Sequence, residues 1–224
     1  MKDIHILYED NHLLIVEKPN NIPVQEDRTK DPDLLTILKE DIKIRYEKPG
    51  NVYLGLVHRL DRPVGGAIVF AKTSKAASRM ANILRKRELE RTYLAVVRGR
   101  VKEKSGRLVN YLRKDNRKNI VHVVNKDAKA AKKAILNYEV IGVKDNLSYL
   151  HVRLETGRSH QIRVQLSEIG HPLYGDQKYG QDLNKVGEQI ALWSHTLSFI
   201  HPVRKTKITI ESLPPAIYPW SEWN

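Results

Sequence analysis

One acidic side chain in this sequence stands between two arginines, in His58-Arg59-Leu60-Asp61-Arg62-Pro63, and Val64-Gly65-Gly66 follows it. A carboxylate serves as nucleophile or base only while it is ionised and held in place. A guanidinium within a few ångströms does both, lowering a carboxylate pKa by about 1–3 units. Asp61 is therefore the first candidate for chemistry, with Arg59, Arg62, Arg158 and Arg163 as available partners. The paired glycines would let a substrate backbone, or another segment of the chain, come close. The plainer alternative is an Asp–Arg bridge that pins a loop, since structural ion pairs perturb carboxylates too.

A second constellation is Leu-Glu-Thr-Gly-Arg-Ser-His-Gln-Ile-Arg, Leu154 to Arg163. A Thr-Gly-Arg turn ahead of a helix points free backbone N–H groups and Arg158 at whatever lies before it, a natural phosphate or carboxylate site. Arg163 lies about one and a half turns further on, so the two arginines need not share a target. The alternative is a capped surface helix with solvated arginines. His58 and His160 invite a nuclease or metal reading, but neither has a two-histidine ligand spacing with a carboxylate, and both read better as structural histidines. Tyr93 alternates along a strand and fits a core as well as a site. No Walker motif, GxGxxG, HExxH or GxSxG occurs, so nucleotide, dinucleotide, zincin and serine-hydrolase chemistry lack their parts.

These residues need elements to hold them. Ile4–Tyr8 and Leu13–Glu17 read as a hairpin around Glu9–His12, and Lys18–Val24 as a loop. A helix starts near Pro32 or Asp33, with Leu34, Leu35, Leu38 and Ile42 on one face. Leu54–Val57 and Ala67–Ala71 read as buried strands flanking the Asp61 stretch. Thr73 or Ser74 caps a helix carrying Ala77, Met80, Ala81 and Leu84. Thr92–Gly99 is a strand, and a basic hairpin region runs to about Ala134. Two more strands, Leu136–Val143 and Tyr149–Leu154, precede a helix at Gln161–Ile169; Leu173–Gly187 is loop, and strands end the chain. The expectation is one α+β domain over residues 1–224: a mixed, mainly antiparallel bent sheet with flanking helices and a central active-site cleft.

Bulk properties narrow the partners. The 224 residues carry 39 basic against 26 acidic side chains, a net charge of +13. The excess collects between Lys72 and Arg117 and again over Lys126–Lys133. Such charge favours polyanions, nucleic acid first, because no basic amphipathic helix with bulky apolar residues accompanies it. There is no cysteine, which excludes disulfides, thiolate zinc sites and cysteine nucleophiles. No signal-like or membrane-spanning apolar run appears, so a cytoplasmic protein is expected.

Taken in order, these segments resemble the pseudouridine synthases typified by RluA and RluD. The resemblance is carried by His58–Arg62 with Gly66 and Ile68–Thr73, by Arg91–Gly99 (RTYLAVVRG), by Leu154–Arg163, and by His171–Gly180 (HPLYGDQKYG). The ends, ILYEDNHLLIVEKPNNIPV and LWSHTLSFIHP with a closing LPP, fit as well. One departure stands out: the family commonly has Thr-Ser-Gly where this chain has Val64-Gly65-Gly66, so any hydrogen bond from those hydroxyls is lost. Many members also carry an N-terminal S4 RNA-binding domain, and this chain looks like a short form without it.

The resemblance implies an RNA uridine isomerase acting on rRNA or tRNA by base flipping. Asp61 matches the catalytic aspartate, which attacks the sugar or the base. Tyr93 matches the tyrosine that stacks on the uracil and helps remove its C5 proton, and Arg163 the arginine that pairs with the carboxylate. Arg59 matches a contact to RNA beside the extruded nucleotide; His58, Arg62, Arg158 and His160 are expected RNA contacts. No metal, no cofactor and no obligate protein partner is expected, and a monomer suffices. Two rival readings predict otherwise: a non-catalytic RNA-binding protein has no need of Asp61 with Tyr93 and Arg163, and a ribonuclease using His58 or His160 cleaves the chain.

Overall fold

The computed structural model describes residues 4–180 and 182–223. Met1–Asp3 of the N-terminal alternation, Gln181 of the Leu173–Gly187 loop, and Asn224 lie outside the described residues. The chain forms two compact units: residues up to Arg91 together with Ser194–Leu213, and Thr92–Trp193 together with the segment from Pro214 on. The fold is α+β and its strand pairing mainly antiparallel.

In the first unit, β1 (Ile6–Glu9), β2 (Leu13–Lys18) and β4 (Gly65–Ala71) are neighbours, β10 (Leu192–Ile200) follows β4, β11 (Lys207–Glu211) pairs with β10, and the short β3 (Gly55–Leu56) pairs with β4. Leu13–Val16 and all of β4 are buried, as continuous apolar runs demand when both faces are covered. Leu13, Ile15, Val69, Met80, Leu197 and Phe199 share one core cluster. Full burial of each such side chain contributes about 1.5–3 kcal/mol, which is what fixes this sheet and hence the loop feeding β4.

Two helices flank it. Helix α1 (Leu34–Arg45) starts where Asp33 Oδ1 accepts the Thr36 N–H at 3.1 Å, a cap of about 1 kcal/mol, and buries Leu34, Leu38 and Ile42. Helix α2 (Ser74–Arg85) is capped by Thr73 and buries Ala76 and Met80; Ala81, expected inward, is exposed. The apolar stripe is turned by one residue from the one expected.

The second unit has strand order β5-β9-β8-β6-β7, namely β5 (Glu90–Arg98), β6 (Ser105–Asp115), β7 (Ile120–Val124), β8 (Lys132–Lys144) and β9 (Leu147–Leu154). Leu94 and Val96 turn into a cluster with Trp193, Tyr174 and Trp220. Helix α3 (Gln161–Glu168) buries every residue from Gln161 to Leu166, and Val164 packs with Leu112, Val121 and Ala134. No helix among the described residues is long and apolar enough to cross a membrane.

Candidate active site

The segment from Val57 to Val64 belongs to no strand or helix, so its shape rests on side-chain and tertiary contacts. Burial alternates along it. His58 and Leu60 are buried, Arg59 is exposed and Asp61 is half-buried. The chain turns at Asp61, whose carbonyl accepts the Val64 N–H at 3.0 Å, and enters β4 at Gly65.

What clamps this turn is Lys18, the last residue of β2, whose side chain is fully buried. Its Nζ donates to the carbonyls of Pro19 at 2.9 Å, Arg62 at 2.9 Å and Val64 at 2.7 Å. Three donated bonds use three hydrogens, which only the ammonium has. Burial pulls the Lys18 pKa down to about 7; the Asp61 charge opposes that shift and the Arg62 charge adds to it. A half-exposed carboxylate is thus carried on a turn whose Arg62 and Val64 carbonyls are tied to a buried cation. From the sequence Lys18 opens a loop, whereas it closes β2 in the structure. Its only signal is a lysine closing the strand LLIVEK, after an apolar run and just ahead of a proline.

Gly66 makes the turn fit. Its φ is +105°, and a Cβ there would lie 2.3 Å from the Ser194 carbonyl oxygen. The close approach that the glycine pair suggested is therefore made by the protein's own backbone at this position.

His58 Nε2 accepts the Val69 N–H at 3.3 Å, and its Nδ1 has no partner within the described residues. Burial, reinforced by the Arg91 charge, holds its pKa down to about 3, so the ring is neutral and structural in character. Arg62 is occupied as well: it pairs with Asp31, bonds Thr29 Oγ1 at 3.0 Å and lies 3.7 Å from Asp27. A phosphate reaching Arg62 would have to displace these partners. Arg59 is the exposed cation beside Asp61.

In the second unit, Tyr93 is 5% exposed on β5, opposite Val152 of β9. With a period of two it faces away from the Leu94–Val96 cluster. Arg163 lies on α3, buried rather than solvated as a surface helix would leave it. Asp176 holds it by a two-pronged bridge, Nε to Oδ2 and Nη2 to Oδ1, both 2.8 Å. Asp176 Oδ1 also accepts the N–H groups of Lys178 and Tyr179, so this carboxylate is itself fixed by the backbone. Asp176 and Tyr179 both lie in HPLYGDQKYG, where no role was read for either. The ring of Tyr179 lies 5.2 Å from the Arg163 guanidinium, and its Oη lies 2.7 Å from His160 Nδ1.

The turn before α3 is less open than a free helix start. His160 takes a left-handed conformation and makes no side-chain cap, while Gln161 Oε1 accepts the Arg158 N–H at 3.0 Å. Arg158 is exposed, its Nε donating to the Lys133 carbonyl at 3.0 Å.

Comparison with known proteins shows the family of the chain. A family model described as RNA pseudouridylate synthase matches residues 12–168. A Bacillus subtilis protein named as the uncharacterized RNA pseudouridine synthase YhcT is 34% identical over 217 residues, covering 96% of this chain and 70% of its own. The ribosomal large subunit pseudouridine synthase D of Haemophilus influenzae is 34% identical over 180 residues, covering 79% of this chain and 53% of its own. Among solved structures, human RNA pseudouridylate synthase domain containing 4 superposes with a TM-score of 0.80 at 22% identity, over 97% of this chain and 91% of that one, which shows the shared fold. The family match spans the Asp61 turn, β5 and α3 together, and the chain belongs to the RNA pseudouridine synthases of the RluA family, isomerases that act on RNA.

Proposed function

We propose that this isomerase converts specific uridines of a structured rRNA or tRNA to pseudouridine, with Asp61 as nucleophile on a flipped-out base. The observation that carries the reading is the Lys18 clamp: the buried Lys18 ammonium donates to the Arg62 and Val64 carbonyls and so fixes the turn that presents this half-exposed carboxylate. A turn that only bridged Asp61 to an arginine would not need a buried ammonium behind it.

The reaction balances without a second substrate. The N1–C1′ bond breaks, uracil turns, C5 bonds to C1′, the C5 proton leaves and N1 gains one. Nothing is oxidised, so neither metal nor cofactor is called for. Asp61 attacks the uridine at sugar or base; Tyr93 stacks on the uracil and assists loss of the C5 proton; Arg163, oriented by Asp176, is the arginine that pairs with the carboxylate. Flipping costs a few kcal/mol, recovered through stacking and backbone contacts. Arg59 is suited to the RNA beside the vacated position, and the +13 charge to the backbone. The protein works in this reading as a cytoplasmic monomer.

RNA carrying tritium at uracil C5 tests it. Tritium release with the strand intact is expected from the wild type. Strand cleavage would favour a nuclease, and binding without release from rRNA or tRNA would favour a non-catalytic RNA-binding protein.

A further inference from the structure

In the second unit, the β6–β7 hairpin, the chain around Ala130–Lys132 and the Gly157–Ser159 turn line a half-open cavity of about 330 Å³. Arg113, Lys114, Lys132 and Arg158 line it, and no carboxylate does. None of these four finds a carboxylate partner among the described residues. Other cations of the same unit are neutralised: Arg98 by Glu188, Arg107 by Glu155, Arg163 by Asp176. Four like charges gathered without a counterion raise the local potential and attract a polyanion.

The cavity is built on a fixed frame. Leu112 and Val121 form its apolar floor and pack into the core with Ala134 and Val164. Asp115 Oδ1 accepts the N–H groups of Arg117 and Lys118 and so shapes the hairpin tip. Lys178 Nζ donates to the Asn119 carbonyl at 2.9 Å, and the Val121 N–H to Tyr179 Oη at 2.8 Å, tying the hairpin to the chain beyond α3.

We infer that this cavity is an accessory RNA-backbone site: the basic rim takes phosphodiester oxygens and the Leu112–Val121 floor meets the ribose between them. It exceeds the needs of one small anion and has the size of pockets that hold organic ligands. RNA is chosen over an acidic peptide because the family acts on RNA, so the inference rests on the reading above. The site grips nucleotides flanking the target and carries no base code, since phosphate contacts position without specifying.

The test is the salt dependence of binding to a fluorescent stem–loop RNA. Each phosphate contact adds about 0.7–0.9 to the slope of log Kobs against log salt. The double variant Lys114→Gln/Lys132→Gln is expected to bind at least tenfold more weakly at physiological ionic strength, with a slope shallower by about 1.5. Lys43→Gln/Lys48→Gln, removing two exposed cations at the end of α1, is expected to leave the slope in place. Equal slopes in all three proteins overturn the site, as does poly-glutamate binding in preference to the RNA. Tritium release by the wild type is scored separately. Release with an unchanged slope in the pocket variant overturns the cavity alone; a shallower slope in a protein that isomerises nothing supports the cavity and overturns the isomerase reading.

Discussion

Lys18→Met removes the clamp at nearly constant volume. In the unfolded chain a lysine titrates near 10.4, and in the fold near about 7. The unfolded state therefore holds an extra proton between those values, so wild-type stability rises with pH through that window as the cost of burying the ammonium is relieved. Between pH 7 and pH 9 the gain amounts to about 2 kcal/mol, and methionine, having nothing to titrate, forgoes it. At pH 7 two effects oppose each other in the variant. It loses three charge-assisted bonds of about 1.5–3 kcal/mol each and recovers most of the ammonium's desolvation. They nearly cancel in stability, but not in turnover, because only the bonds position Asp61. Urea denaturation at both pH values, with kcat on tritiated RNA, reads both effects. The expectation is a stability difference that shifts by about 2 kcal/mol between the two pH values, and kcat reduced at least tenfold. Parallel stability–pH curves for wild type and Lys18→Met, with kcat intact, would refute the reasoning.

His58, neutral in the fold with a pKa of about 3, takes up a proton near 6.5 once unfolded, so stability falls as pH drops below 6.5. Between pH 7 and pH 5 this costs about 2 kcal/mol in chemical denaturation, and His58→Gln is expected to flatten that stretch. Asp176→Asn breaks a buried bridge from one side, costs about 3–5 kcal/mol, and is expected to lower kcat while leaving the RNA Kd within about twofold; unchanged kcat would separate Arg163 from Asp176. Arg163→Ala is likewise expected to impair turnover more than binding, and equal losses would make it an RNA contact. Gly66→Ala, with backbone 2.3 Å from the new Cβ and φ at +105°, is expected to lose about 3 kcal/mol or more. Gly170→Ala, at φ +81° with nothing within 4 Å, is expected to lose only about 1 kcal/mol.

The strands and helices were legible because their signals are local. Continuous apolar runs mark β2 and β4, and of the helix starts offered at Pro32 or Asp33 and at Thr73 or Ser74 the structure caps with Asp33 and Thr73. The α1 stripe of Leu34, Leu38 and Ile42 was visible in its spacing, whereas that of α2 was misjudged at Ala81, where small residues leave little periodicity to read. Asp61 stood out through its arginine neighbours. Its support did not, because Lys18 lies far away in sequence and reaches the turn only through the β2–β4 pairing of Lys18 with Gly66. Asp176 was hidden for the same reason: nothing between 163 and 176 announces that a loop carboxylate folds back onto a helix arginine. Arg62 shows the converse. Its type and place suggested RNA, while Asp31 and Asp27, on a separate loop, already engage it.

The carboxylate at position 61 is tested most directly by measuring binding and turnover on one substrate. Asp61→Asn keeps the shape of the side chain and removes its charge. The expected result is an RNA Kd within a few-fold of wild type together with no tritium released from uracil C5, even in a single turnover. Release at a rate near that of the wild type, with the same RNA bound equally well, would contradict the account.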